Sequence, residues 1–339
     1  MSDNIATRSE TQPETSAEWR LDPELAKALA AFPMEDEPSD WFKDPNVLAL
    51  LRSTKSMLEA TGSTLPRDEM VEVSDRTIEG GPGNDALRLR IYKQCEQGSG
   101  APLLVFFHGG GFIIGDPELE ESRCLRFASE AGCIVVSADY RLAPEHPYPA
   151  GLDDCYAALE WAAGNAKELG ADAGMLAVGG NSAGGALAAA VAQRAHHKKG
   201  PRLSLQLLLY PVLDDRMTTK SMREFTDTPI WTRGASEMMW DQYLGGDSQK
   251  PGQVPEGAAP SRATNLAGLP PAYVMTCELD PLRDEGIEYA RRLLEGGVPT
   301  ELHQYASTFH GFDTLAPDAA ISVRAVTEQV DALRRGFLL

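Results

Sequence analysis

Met175-Leu-Ala-Val-Gly-Gly-Asn-Ser182-Ala-Gly-Gly-Ala-Leu-Ala-Ala-Ala-Val-Ala192 joins a short apolar run to an alanine-rich stretch through a serine set among glycines. The serine has the form G-x-S-x-G, with Gly180 and Gly184 two residues to either side. By itself that spacing is a weak signal in a chain with 31 glycines. Its setting strengthens it: an apolar strand ends where the motif begins, and a helix free of β-branched residues over its first turns starts at the serine. A nucleophile elbow forces its serine into a strained backbone, and small neighbours are required because a Cβ on either side would collide with strand or helix.

Working outward, continuous apolar runs at Leu103 to Phe107, Ile134 to Ala138, Leu176 to Gly179, Leu205 to Tyr210 and Ala272 to Thr276 alternate with helical stretches. Such runs are the mark of a parallel sheet covered on both faces. Thr300 to Tyr305 adds a last strand, while Val71 to Ser74 and Leu87 to Tyr92, separated by Gly80-Gly-Pro-Gly-Asn84, read as an antiparallel edge hairpin. Ahead of the hairpin, Leu21, Leu25, Leu29 and Phe32 recur at helical spacing up to Pro33, and a second amphipathic region runs from Trp41 to Met57. The expected fold is therefore α/β, a mostly parallel central sheet flanked by helices. Residues 1–61 are expected to form a tail and cap helices, and 62–339 the catalytic domain with a second cap segment at about 214–257. That second segment is too long for an ordinary crossover connection.

Composition excludes several classes. The net charge of −19 repels nucleic-acid backbones and anionic membrane surfaces. Five scattered cysteines, with no C-x-x-C pair and no histidine at ligand spacing, suggest neither a disulfide framework nor a metal site. The N-terminus has no apolar leader and no run of 18 apolar residues occurs, so the expectation is a cytoplasmic enzyme without stable membrane anchoring. No cofactor is expected.

A nucleophilic serine needs a base, and in this fold class the chain order is serine, acid, histidine. Of six histidines, four follow Ser182. His196 and His197 sit beside Lys198 and Lys199 at a helix end, and His303 lies inside a strand, which leaves His310 in the loop after the last strand. For the acid, Asp280 stands just past an apolar run, where ligand-facing residues collect at strand ends. Glu278 is the second choice, and Asp284 is accounted for as a first-turn carboxylate favoured by the helix dipole. Upstream, Phe107-His-Gly-Gly-Gly-Phe112 follows a strand directly, and its glycines can present backbone N–H groups to an oxyanion formed at the serine. His108 is expected to pin that loop through its ring.

Together, His108-Gly-Gly-Gly111, Asp139-Tyr-Arg-Leu-Ala-Pro-Glu145, Gly180-Asn-Ser-Ala-Gly-Gly185, Asp280-Pro-Leu-Arg-Asp-Glu-Gly286 and His310-Gly-Phe312 resemble the hormone-sensitive-lipase-like branch of the α/β-hydrolases, the bacterial family IV esterases. The resemblance covers about residues 101 to 312. It implies Ser182 as nucleophile, His310 as base, Asp280 as its orienting acid, and the N–H groups of Gly109, Gly110 and Ala183 as the oxyanion hole. It also implies a small-molecule ester as substrate and a homodimer as the assembly to look for. Asn181 departs from the pattern, since the residue before the nucleophile is more commonly Asp or Thr in this branch. Other acyl-transfer enzymes, namely amidases, lactonases and transacylases, share such a site. Non-catalytic binders such as the plant gibberellin receptors share the fold but have lost a triad residue, whereas here all three positions are filled. The apolar side chains of the cap segments, including Trp19, Phe32, Met239 and Trp240, are expected to roof the serine. Phe112, Trp41, Phe42, Trp231 and Met238 are the expected substrate-lining residues.

Overall fold

Alternation within the strands explains how one sheet carries two cores. In the strand Ala101–Phe107 (β3), Leu103, Val105 and Phe107 enter one apolar cluster while Leu104 and Phe106 enter the other. Ala272–Leu279 (β7) divides in the same way, with Val274 on one face and Tyr273, Met275 and Cys277 on the opposite one. Successive side chains of a strand point to opposite faces, so a strand covered on both sides reads as an unbroken apolar run. The structure, a computed structural model, describes residues 21–31, 45–61, 64–246 and 254–338.

Among the described residues the sheet has eight strands, in the order Val71–Ile78 (β1), Leu87–Gln94 (β2), Ile134–Ala138 (β4), β3, Ala171–Asn181 (β5), Leu205–Leu209 (β6), β7 and Thr300–Phe309 (β8). The hairpin expected at Val71 to Ser74 and Leu87 to Tyr92 is present and longer, as β1 and β2, antiparallel to each other; β2 also runs antiparallel to β4. From β4 through Ala171–Asn181 (β5), Leu205–Leu209 (β6), β7 and Thr300–Phe309 (β8), every pairing is parallel. β5 and β8 run longer than their apolar centres: across a register shift Ala171 still pairs with Ala101, and across another Phe309 pairs with Leu279. One face is covered by the helices Ala150–Gly164, Ala183–Lys198 and Arg283–Glu295, the other by Glu121–Ala131 and Ala320–Gly336.

Register aligns the carboxyl ends that matter. Phe107 of β3 pairs with Gly180 of β5, Asn181 with Leu209 of β6, and Leu279 of β7 with Phe309 of β8. The residues just past those positions therefore open onto one edge of the sheet, where ligands bind in open α/β sheets.

The N-terminal helices are Pro23–Ala31, Pro45–Leu51 and Thr54–Thr61. The first buries Leu25 in the cluster under the last helix, and Asp22 N–H donates to Ser307 O at 2.9 Å. The second cap segment carries the helices Lys220–Glu224 and Arg233–Tyr243. Trp19, Phe32, Trp41 and Phe42 lie outside the described residues. Among the described residues no helix is long and apolar enough to cross a membrane, and no group of three or more His, Cys, Asp or Glu could hold a metal ion.

Candidate active site

Ser182 joins β5 to the helix Ala183–Lys198 with φ 56° and ψ −119°, a backbone that a non-glycine residue adopts only under strain. The helix begins one residue later than the sequence suggests, with Ser182 at its N-cap. The flanking glycines are required by contact. A Cβ on Gly180 would stand 2.3 Å from Gly184 O, and one on Gly184 only 2.0 Å from Phe107 O. Ser182 N–H donates to Leu209 O at 2.8 Å, which fixes the turn to β6.

His310 follows β8 directly, and its Nε2 lies 2.9 Å from Ser182 Oγ. Its Nδ1 lies 2.7 Å from Asp280 Oδ2, while Asp280 Oδ1 accepts from Leu282 N–H at 2.9 Å. All three side chains are buried, with Ser182 and His310 each 5% exposed and Asp280 fully enclosed. With the imidazole proton on Nδ1, the ring donates to Asp280 and Nε2 is left to accept from the serine hydroxyl. The structure thus brings together the three residues expected from the sequence and separates them from their competitors. Glu278 Oε2 accepts from Ser307 N–H at 2.7 Å, bracing the strand that leads to His310. Asp284 accepts from Ser221 N–H, and Arg283 with Ser221 holds its carboxyl below the ordinary aspartate range despite its partial burial. His196 and His197 are exposed at the far helix end, and His303 stands on β8 beside Glu301 and Glu328.

Gly109, Gly110 and Gly111 leave β3 beside the elbow, where a Cβ on Gly109 would stand 3.1 Å from the Asn181 amide. Gly110 has φ 109°, and a Cβ there would stand 2.1 Å from Ile114 O. Ile113 and Ile114 N–H both donate to Gly110 O at 3.0 Å, folding the loop into a tight turn. Among the described residues the N–H groups of Gly109, Gly110 and Ala183 donate to no protein acceptor. His108 pins the loop as expected: its Nδ1 is 2.7 Å from Gly109 O and its ring stacks on Tyr140 at 4.3 Å. Burial lowers the pKa of His108, keeping that ring neutral.

From the second cap segment, Trp231 tilts over His310 with ring centroids 5.7 Å apart and meets Gly111, whose Cβ would lie 3.0 Å from the indole. Trp231 Nε1–H donates to Ser236 Oγ at 2.9 Å, which locks the ring. Met238 is half-buried on the same segment, and Met239 packs against Gly111. Trp240 instead lies in the junction between cap and loop, near Tyr243 and Phe112. Phe112, at φ 62°, spends its ring on a 3.8 Å stack with Tyr243.

Several residues that support the site carry no motif. Arg52, in the turn between two N-terminal helices, donates to Ile113 O, Ala143 O and both oxygens of Glu145, and holds the Glu145 carboxyl down at about 2. Thr54 donates to Asp116 through its N–H and its hydroxyl, and Gly115 N–H donates to Leu51 O. The N-terminal segment therefore buttresses the glycine loop. Glu120, Arg123 and Tyr210 lie behind the serine in a buried polar network.

A family profile described as the α/β hydrolase fold matches residues 104–314. The chain belongs to the hormone-sensitive-lipase-like branch of the α/β-hydrolases. Among its relatives, "Esterase LipI" of Mycobacterium tuberculosis (strain ATCC 25618 / H37Rv) is 39% identical over 93% of this chain and 94% of its own length. "Carboxylesterase NlhH" of the same organism is 36% identical over 96% of this chain and 99% of its own. Of solved structures, "Bacterial Heroin Esterase" is 42% identical with a TM-score of 0.87, over 95% of this chain and 99% of that one.

Proposed function

We propose that this chain is a serine carboxylesterase that hydrolyses short- to medium-chain acyl esters through an acyl-enzyme on Ser182. Its place among the carboxylic ester hydrolases rests on relatives 36–42% identical over nearly their whole length. The mechanism rests on the continuous path from Ser182 Oγ to His310 Nε2 at 2.9 Å and from His310 Nδ1 to Asp280 at 2.7 Å. Ser182 Oγ attacks the ester carbonyl while His310 takes its proton, and Asp280 stabilises the imidazolium so formed. The N–H groups of Gly109, Gly110 and Ala183 receive the oxyanion of the tetrahedral intermediate. His310 then gives its proton to the departing alkoxide, the alcohol leaves, and water activated by the same imidazole releases the acid.

The test is covalent. A fluorophosphonate ester should add to Ser182 and to no other residue, as read by mass spectrometry of peptides, and ester hydrolysis should stop in proportion. A label elsewhere, or activity that disappears with EDTA, would sink the serine mechanism.

A further inference from the structure

Asn181, the residue that departs from the family pattern, stands against a carboxylate. Its Nδ2 donates to Glu120 Oε1 at 2.7 Å, and Glu120 is 2% exposed. An aspartate at that position would oppose one buried carboxylate with another, and an amide donor removes the conflict. Glu120 Oε2 in turn accepts from Arg123 Nε at 2.8 Å. Arg123, itself 5% exposed, extends its remaining donors to Asp313 Oδ2 at 3.0 Å, Gln329 Oε1 at 2.7 Å, Thr314 Oγ1 at 3.0 Å and Tyr210 Oη at 3.3 Å. Tyr210 donates to the other oxygen of Asp313 at 2.9 Å and presents its ring edge-on to His310 at 4.9 Å.

This chain of contacts begins one residue before Ser182 and ends three residues after His310. It joins the elbow, the end of β6, the first turn of Glu121–Ala131 and the last helix. It is also charged unevenly, with two buried carboxylates against one guanidinium. We propose that Glu120, Arg123 and Asp313 are positioning residues that lock the Ser182 elbow to the His310 loop, and that their surplus negative charge favours the imidazolium His310 becomes during acyl transfer. This rests on the reading of Ser182 and His310 as nucleophile and base.

Burial works against ionisation of Asp313, yet Arg123, Tyr210 and Gln329 hold its carboxyl below the ordinary aspartate range, so the charge persists. Other groups around His310 do not supply it. Asp280 bonds the ring directly, and Ser182, Tyr210 and Trp231 face it without charge. Cys277 and Glu285, close to Asp280, are pushed toward their neutral forms by burial, as is His108 on the glycine loop.

Asp313→Asn and Glu120→Gln each delete one negative charge while keeping side-chain size, and Arg123→Lys keeps the charge while losing the fork. The readouts are labelling of Ser182 by a fluorophosphonate ester, thermal unfolding, and kcat/KM against pH. In both neutralising variants the acidic limb of kcat/KM should move to lower pH by about half a unit or more, because an interaction through low dielectric is lost. Arg123→Lys should leave that limb in place while kcat falls by roughly tenfold, from loss of position alone. If the wild-type chain is not labelled at Ser182, the catalytic reading itself fails. With Ser182 labelled, an unmoved limb in a folded Asp313→Asn or Glu120→Gln protein overturns the charge effect. An equal shift in Arg123→Lys overturns it too, by reducing the network to packing.

Discussion

His310 Nδ1 and Asp280 Oδ2 meet at 2.7 Å because β7 and β8 are adjacent parallel strands whose last paired residues, Leu279 and Phe309, each directly precede one of the two. That pairing separates Asp280 from Glu278, which lies one residue before Leu279 and reaches Ser307 N–H instead. Asp280→Asn should lower kcat by about 10⁴ with substrate binding retained, as expected when the histidine is left in the wrong tautomer. Glu278→Gln should lower it by less than about tenfold. A reversal of that order in steady-state kinetics would move the acid to Glu278.

Since Ser182, His310 and Asp280 form one hydrogen-bonded path, their removal should not be additive. Ser182→Ala and His310→Ala should each reduce kcat by several orders of magnitude, and the double variant should be little worse. Additive losses would mean that the two residues act separately.

The glycine loop separates steric need from chemistry. Gly110, at φ 109° with Ile114 O 2.1 Å from an added Cβ, has no room for alanine. Gly110→Ala should cost about 1–3 kcal/mol or more in stability. Gly109→Ala meets Asn181, its amide nitrogen at 3.1 Å and its backbone oxygen at 3.4 Å, and should lose less than half as much, measured by thermal unfolding. Equal losses would show that the loop can relax around either methyl group.

How much of this was legible in the sequence follows from which forces act locally. β4 matches its run residue for residue, since all five of its residues are buried and the one polar side chain among them, Ser137, is small enough to be enclosed with its apolar neighbours. The elbow was legible because its geometry demands glycine at two fixed positions. His310 was legible because the other histidines after Ser182 belong to a helix end and to the middle of a strand, away from the edge where the elbow opens. Glu120 and Arg123 were not. Their spacing is that of an ordinary solvated pair on a helix, and the partners that enclose them are distant in the chain, Asn181 61 residues from Glu120, and Asp313 and Gln329 190 and 206 residues from Arg123. Arg52 and Thr54 stay hidden for the same reason, their partners lying 61 to 93 residues further on. Phe112 looked like a pocket residue from its place after the glycines, but Tyr243 claims its ring from another segment.

Glu285 links stability to pH. Burial pushes its carboxyl well above the ordinary glutamate range, outweighing the hydrogen bonds from Leu213 and Asp214 N–H, and repulsion from Asp214 and Asp280 adds to the rise. Its folded-state pKa therefore exceeds the unfolded one, so the folded chain holds a proton that the unfolded chain releases. Stability falls as pH rises above about 4.5 toward that raised value. Glu285→Gln removes this dependence, so the Tm of the variant relative to wild type should climb steadily from pH 4 toward pH 8. A constant difference across that range would mean the carboxyl titrates alike in both states.

Acyl length should be decided at Trp231, whose indole lies against both His310 and Gly111 and is held by Ser236. A wall fixed that close to His310 and the glycine loop should limit the depth of apolar space open to an acyl chain. Each acyl methylene buried there contributes about 0.8 kcal/mol, or roughly fourfold in kcat/KM, until the space ends. Further methylenes must remain in water or displace the cap, so preference should rise from acetyl to roughly butyryl or hexanoyl esters and then fall. Trp231→Ala should move the optimum to longer chains by about two carbons, because the removed indole leaves apolar room, and should weaken short-chain turnover by uncovering His310. Measuring kcat/KM for acyl chains of two to sixteen carbons in both proteins checks the wall directly. A rise continuing to the longest chain in the wild-type protein would replace the closed cap with an open, lipase-like groove. An unchanged profile in Trp231→Ala would place the wall elsewhere.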